Sequence, residues 1–172
     1  EGSLYFPGTA NAYISLNSST GTPLQFNWWT IANGGFTIDA WVNYQTFTNA
    51  ASGSNQPALI GRMETNTAGN DWSFGALTTG AVSFFYYNPG NTTLYNVTTT
   101  QLMSTGTWNH IAVSVDVSTN PPTIRVFLNG QISGSSAQIQ NYAGMTIATQ
   151  PLMLIGQFNK LPINAYVTNL RI

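Results

Sequence analysis

The chain has 172 residues with five acids, four bases and one histidine, for a net charge of −1. Charged residues make up 5% of it and aromatics 13%, whereas charged residues are about 25% of an average soluble protein. This composition excludes a disordered chain, which lacks aromatics and carries net charge. It also excludes a phosphate-neutralising nucleic-acid binder and a helical bundle rich in Ala, Glu, Lys and Leu.

Short β-prone runs separated by Gly, Pro, Asn, Ser and Thr clusters predict strands along the whole chain. The first two are 3–6 and 12–16. Segment 17–34, with Trp28 and Trp29, has no strand pattern and reads as a connection with one helical turn. Run 35–44 alternates: Phe36, Ile38, Ala40 and Val42 share one face, and Thr37, Asp39, Trp41 and Asn43 the other. Runs 58–63, 71–77, 81–87 and 93–99 follow. Run 108–117 then sets Ile111, Val113, Val115 and Val117 against His110, Ala112, Ser114 and Asp116. Run 123–129 alternates in the same way, and Pro121-Pro122 before it predicts an antiparallel pair with 108–117. Asn129-Gly130 then predicts a tight hairpin into 131–135. Runs 152–157 and 165–172 close the chain. Many short strands at this spacing, each with one apolar face, predict a sandwich or jelly roll.

Six segments carry a resemblance. Gly2-Ser-Leu-Tyr-Phe-Pro-Gly8, Phe36-Thr-Ile-Asp-Ala-Trp-Val42, Trp108-Asn-His-Ile-Ala-Val113, Ile124-Arg-Val-Phe-Leu-Asn-Gly130, Leu154-Ile-Gly156 and Ala165-Tyr-Val-Thr-Asn-Leu-Arg-Ile172 are found here. In that order they resemble framework strands of laminin-G-like domains, members of the concanavalin A-like lectin/glucanase superfamily. The resemblance implies an all-β, two-sheet antiparallel jelly roll with a concave face and a rim of loops, forming one domain over 1–172. Relatives bind sugars or proteins, often with calcium at the rim, and some are glucanases. A fold hosts many activities, so function is argued from sites.

Glycoside hydrolysis needs two carboxylates about 5–9.5 Å apart, and the glucanase relatives carry an E-x-D-x-x-E run. Glu1, Asp39, Glu64, Asp71 and Asp116 form no such run. Asp39 and Asp116 are each the single acid of a strand and read as hydrogen-bonding groups of its polar face. His110, inside a framework strand, reads as a structural histidine rather than a catalytic base. With one His and no Cys, a zinc site has too few ligands. The expectation is a non-enzyme. Calcium stays open as a cofactor: loop 64–71 offers two acids and two amides, with Asp71 the best ligand. The alternative there is a solvated loop whose Asn70 and Asp71 make turn hydrogen bonds.

Sugar rings present apolar C–H faces that stack on aromatic rings, while amides and hydroxyls bond their oxygens. Trp28, Trp29, Trp72, Tyr86, Tyr87 and Tyr95 are the candidates. From them the expected ligand-binding set is Trp72, Tyr87, Tyr95 and Trp29, with Asn70 beside them, while Phe84, Phe85 and Trp41 read as core. Sequons stand at Asn17, Asn91 and Asn96. Lys160 is the only lysine, so β edges lack their usual charged guards, which suggests a part of a larger assembly or oligomer. The leading expectation is an extracellular glycan-binding or adhesion module on a virion or cell surface. Its partners are a glycan or neighbouring protein subunits, not nucleic acid, and with no apolar run of about 20 residues it inserts in no membrane as a helix. The alternative is a virion structural or decoration domain making only protein contacts, and a glucanase comes last.

Overall fold

The computed structural model describes residues 2–9, 11–16, 35–47, 58–62, 72–87, 94–132, 137–138, 153–158 and 161–172. The described residues hold fifteen strands and no helix. They are β1 (Leu4–Pro7), β2 (Ile14–Leu16), β3 (Phe36–Thr46), β4 (Ala58–Arg62), β5 (Trp72–Ala76), β6 (Ala81–Tyr87), β7 (Leu94–Leu102) and β8 (Asn109–Asp116). There follow β9 (Thr123–Leu128), β10 (Gln131–Ile132), β11 (Ala137–Gln138), β12 (Met153–Ile155), β13 (Gln157–Phe158), β14 (Leu161–Pro162) and β15 (Asn164–Arg171). Each predicted run holds a strand. Segment 17–34 and its expected helical turn lie outside the described residues.

All pairings are antiparallel. A seven-stranded sheet runs β1-β15-β3-β8-β9-β10, with β11 also on β9, and a six-stranded sheet runs β2-β12-β4-β5-β6-β7. Two antiparallel sheets face to face make the jelly-roll sandwich that the alternation implied. The core is the set of apolar side chains between them. Ile38, Ala40, Val42, Ile111, Val113, Val115, Ile124, Val126, Ala165 and Val167 come from the first sheet, and Ile60, Trp72, Phe74, Val82, Phe84, Tyr86 and Val97 from the second. Burying such side chains is the main favourable term, at about 1.5–3 kcal/mol for each large one.

Three local features fix the seven-stranded sheet. Leu128 pairs with Gln131 across Asn129-Gly130, whose φ angles are 53° and 78°. That double positive φ is what a two-residue turn needs to match strand twist. Tyr44 of β3 reaches through the core to the other sheet, where its hydroxyl is hydrogen-bonded to the backbone of Ala76. Finally, β15 carries a bulge: Thr168 faces Trp41 and Arg171 faces Asp39, so three steps on β15 match two on β3. Asn169 supplies the bend at φ 51°, a left-handed conformation that Asn tolerates better than most residues. The extra residue reverses the parity of the strand. Without it Arg171 would point the same way as the buried Ala165 and Val167; with it, Arg171 lands on the outer face.

Candidate functional site

The outer face of the seven-stranded sheet is set by parity. Wherever Ile38, Ala40, Val42, Ile111 and Val113 turn inward, Thr37, Asp39, Trp41, Asn43, His110 and Ala112 turn outward. Among the described residues five aromatic side chains are well exposed. Four of them lie on this face: Tyr5 at 50%, Trp41 at 42%, Trp108 at 44% and Tyr166 at 37%. The fifth, Tyr13, precedes β2 in the other sheet.

These four rings come together through register. Tyr5 pairs with Tyr166, and Tyr166 with Asn43. Because Val42 pairs with Asn109, continuing that register by one residue sets Trp108 opposite Asn43. One row therefore reads Tyr5, Tyr166, Asn43, Trp108, and the next reads Thr168, Trp41, His110. Tyr5 and Tyr166 stack with ring centroids 4.5 Å apart and planes at 26°, a contact worth about 0.5–1.5 kcal/mol beyond burial. Trp41 leans on the His110 ring, with centroids 5.4 Å apart.

Polar groups frame the rings. The Tyr5 hydroxyl donates to Asn164 Oδ1 at 3.1 Å, and Gln45 Nε2 donates to Asn43 Oδ1 at 2.8 Å. Thr168 Oγ1 donates to the Gly2 carbonyl at 3.0 Å. The charged cluster beside the rings is internally balanced. Asp39 Oδ1 accepts from Arg171 Nε at 3.0 Å and Nη2 at 2.6 Å, and lies 3.1 Å from His110 Nε2. Burial pushes the Asp39 carboxyl up, but the hydrogen bonds and charge of Arg171 and His110 outweigh it and hold it below the usual carboxylate range. His110 is thus placed as a hydrogen-bonded framework residue.

The expected site residues fare differently. Trp72 is 3% exposed and belongs to the core; it shares the inward parity of Phe74 and Ala76, so it offers no surface to a ligand. Tyr95 is half-buried against the core, stacked on Tyr86 at 6.3 Å. Tyr86 is itself buried. Phe84 is core as expected and Phe85 is half-buried. Trp41, expected in the core, is exposed. Its own alternation, opposite Ile38, Ala40 and Val42, carried that signal. Trp28, Trp29, Asn70, Asp71, Glu1, Glu64, Asn17, Asn91 and Lys160 lie outside the described residues, as does the side chain of Tyr87. Calcium at Asp71 therefore has no geometry to set beside it.

Asp39 and Asp116 do not pair. Asp39 faces Ala112, and Asp116 lies four residues further along β8, about 14 Å at strand rise. Each has its own arginine: Arg125 Nη1 donates to Asp116 Oδ2 at 3.2 Å. Ser118 donates to Asp116 Oδ1 from both its backbone nitrogen and its hydroxyl. Those bonds and the Arg125 charge hold Asp116 low as well. Among the described residues no group of three His, Cys, Asp or Glu side chains could hold a metal ion. No described helix is long and apolar enough to cross a membrane.

Two other regions are less suited to a ligand. Ser73 and Ser83 have outward parity on the six-stranded sheet, yet both are buried, so these two hydroxyls offer little surface to a ligand. A cleft of about 580 Å³ opens at the sandwich edge, lined by Leu4, Phe6, Ile14, Ile155, Val167 and Leu170 among others. It is mostly apolar, with Ser3, Thr168 and Asn169 as its polar side chains.

Comparison with known proteins places the fold. A structural likeness of TM-score 0.67 joins the chain to the Ruminococcus gnavus IT-sialidase CBM40 bound to α2,3 sialyllactose, at 12% identity over 100% of this chain and 92% of that one. A putative carbohydrate binding protein from Bacteroides ovatus gives 0.63 at 17% identity, over 98% of this chain and 43% of that one. Domains LG4-5 of the mouse laminin α1 chain give 0.65 at 13% identity, over 99% and 41%. No curated protein sequence matches the chain. The family model for the laminin-G type of the concanavalin A-like lectin/glucanases superfamily matches residues 7–172, and the chain belongs to that superfamily.

Proposed function

We propose that this chain is a non-catalytic carbohydrate-binding module. The observation that carries the reading is the group of four exposed rings on one sheet face, set among amides and hydroxyls and beside a charge cluster that neutralises itself. Rings stack on the C–H faces of sugars, and amides bond their hydroxyls. The CBM40 and the putative carbohydrate binding protein named above supply a parallel at the level of fold. In this reading the module acts outside the cell, on a cell surface or virion, as one element of a larger assembly. The test is a glycan array followed by isothermal titration calorimetry on the hits. Reproducible binding supports the reading, and no binding to any glycan refutes it.

One observation favours a second reading, a structural domain that contacts only neighbouring proteins. Strand β7 ends the path of the six-stranded sheet and its nine residues, LYNVTTTQL, include no charge and no proline. Charge and proline are two of the usual devices against edge-to-edge pairing, and the irregular register between Thr98 and Leu102 is the one device of this kind that the strand carries. Sedimentation velocity across a concentration series separates the two: concentration-dependent association without glycan binding is the structural domain's signature.

A further inference from the structure

We propose that the sugar chain taken by this surface is neutral and extended, engaged along its interior across β1, β15, β3 and β8 rather than by a terminal residue. This rests on the carbohydrate-binding reading above. Three observations lead to it.

The first is spacing. With neighbouring strands about 4.8 Å apart, the row from Tyr5 to Trp108 spans about 14 Å, too long for one pyranose and suited to a short oligosaccharide. Within it, Tyr166 and Trp108 are two strand spacings apart, about 10 Å or close to the length of one disaccharide. Only Asn43 stands between them in the row, a short amide anchored by Gln45. Two ring subsites with an amide floor fit successive units of a chain.

The second is openness. Two clefts among the described residues, of about 580 Å³ and 500 Å³, include none of the four rings in their lining, one running along β1 and the end of β15 and one around Gly35, Asp116 and Arg125. Among the described residues the rings stand exposed on a sheet face rather than inside a cleft, a form that suits a chain running past on both sides.

The third is charge. Arg171 directs Nε and Nη2 onto Asp39, so its charge is already balanced and one side of its guanidinium fork is already engaged, which lowers its attraction for a sugar carboxylate. A protein partner fits less well. Tyr5 and Tyr166 stack on each other, but Asn43 separates that pair from Trp108 and Thr168 stands opposite Trp41, whereas the centre of a protein interface is a contiguous desolvated apolar patch.

The experiment is affinity electrophoresis and calorimetry of the intact chain. The probes are cello-, xylo- and laminari-oligosaccharides of two to six units, their polymers, and 3′-sialyllactose as the charged comparator. One neutral series should bind, with affinity rising with length and levelling at about four units, as the row's span implies, while 3′-sialyllactose does not bind. Tyr166→Ala and Trp108→Ala should each weaken binding about tenfold, equivalent to about 1.4 kcal/mol, and Tyr166→Phe should restore it. Ligand-induced change in tryptophan emission of the unaltered chain gives a readout that needs no variant to fold. Preferred binding of 3′-sialyllactose, equal affinity for mono- and oligosaccharides, or glycan binding indifferent to both alanine variants would overturn this proposal while leaving the carbohydrate reading standing. Absence of binding to every glycan, or capture of a protein through the rings instead, overturns both.

Discussion

Arg171 donates two hydrogen bonds to a single oxygen of Asp39, although 132 residues separate them in the chain. The last strand is thereby clamped to the centre of its sheet on the outer face, while Ala165 and Val167 hold it from the core side. The clamp exists because the bulge at Asn169 turns Arg171 outward.

That bulge makes Asn169 a sensitive position. Asn169→Val forces a β-branched side chain into the left-handed region, and strained backbone of this kind costs about 1–3 kcal/mol. Asn169→Gly relieves the same constraint and should be close to neutral. Urea denaturation of both variants checks this; equal losses would mean that the bend is not what Asn169 supplies.

Acid should loosen the clamp. The Asp39 carboxyl is held below its ordinary value, so the folded state binds its proton less readily than the unfolded state. The stability it contributes is complete above about pH 4, the unfolded carboxylate range, and disappears as pH falls through the lower folded value. Stability measured from pH 6 down to pH 2.5 should therefore fall below pH 4, with Asp116 contributing in the same direction. Asp39→Asn should lower stability at pH 7 by about 1 kcal/mol, the size of a partly screened ion pair, and reduce the acid-dependent part. An unchanged acid slope would remove Asp39 from the account.

Two tryptophans should answer mutation oppositely. Trp72 is packed between the sheets, and Trp72→Ala should cost about 3–5 kcal/mol. Trp41 stands on the surface, and Trp41→Ala should cost about 1 kcal/mol or less, the value of its contact with His110. Thermal unfolding followed by circular dichroism reads both.

The strut between the sheets is a third kind of contact. Tyr44 is buried, and burial pushes its hydroxyl far above the usual tyrosine range, with the Ala76 backbone bond only partly offsetting this. Tyr44→Phe keeps the ring but leaves a buried backbone group unsatisfied, which costs about 1–3 kcal/mol. The substitution should lower Tm without altering glycan affinity, since the hydroxyl faces away from the ring patch. A loss of affinity at constant Tm would contradict that placement.

Most of the sandwich was legible in the chain. Strict alternation at 36–44 and 108–117, and the Asn129-Gly130 turn, are local signals that the tertiary structure has no reason to override. The ladders β11, β13 and β14 have two residues each, too short to show a period. The bulge was hidden because simple alternation in 165–172 assigns Arg171 to the core side, and only Asn169, a residue tolerant of positive φ, hints otherwise. The rings were harder. Trp72 adjoins a polar loop, which drew attention to it, but its spacing with Phe74 and Ala76 already placed it inside. Tyr5, Trp108 and Tyr166 sit within framework motifs, so they read as scaffold. Their meeting on one face depends on β15 pairing with both β1 and β3, a long-range register that no short window contains.

The opening and closing strands lie side by side and antiparallel, with Leu4 against Val167 and Pro7 against Asn164. The two chain ends therefore leave from the same end of that pair. Tension applied between them would act across the strands and open their hydrogen bonds one after another, like a zip, rather than loading all of them at once in shear. The first element to peel would be β1, which carries Tyr5 and with it half of the Tyr5–Tyr166 stack. Tethered by both ends and pulled, the module would lose one edge of its ring patch before its core was disturbed.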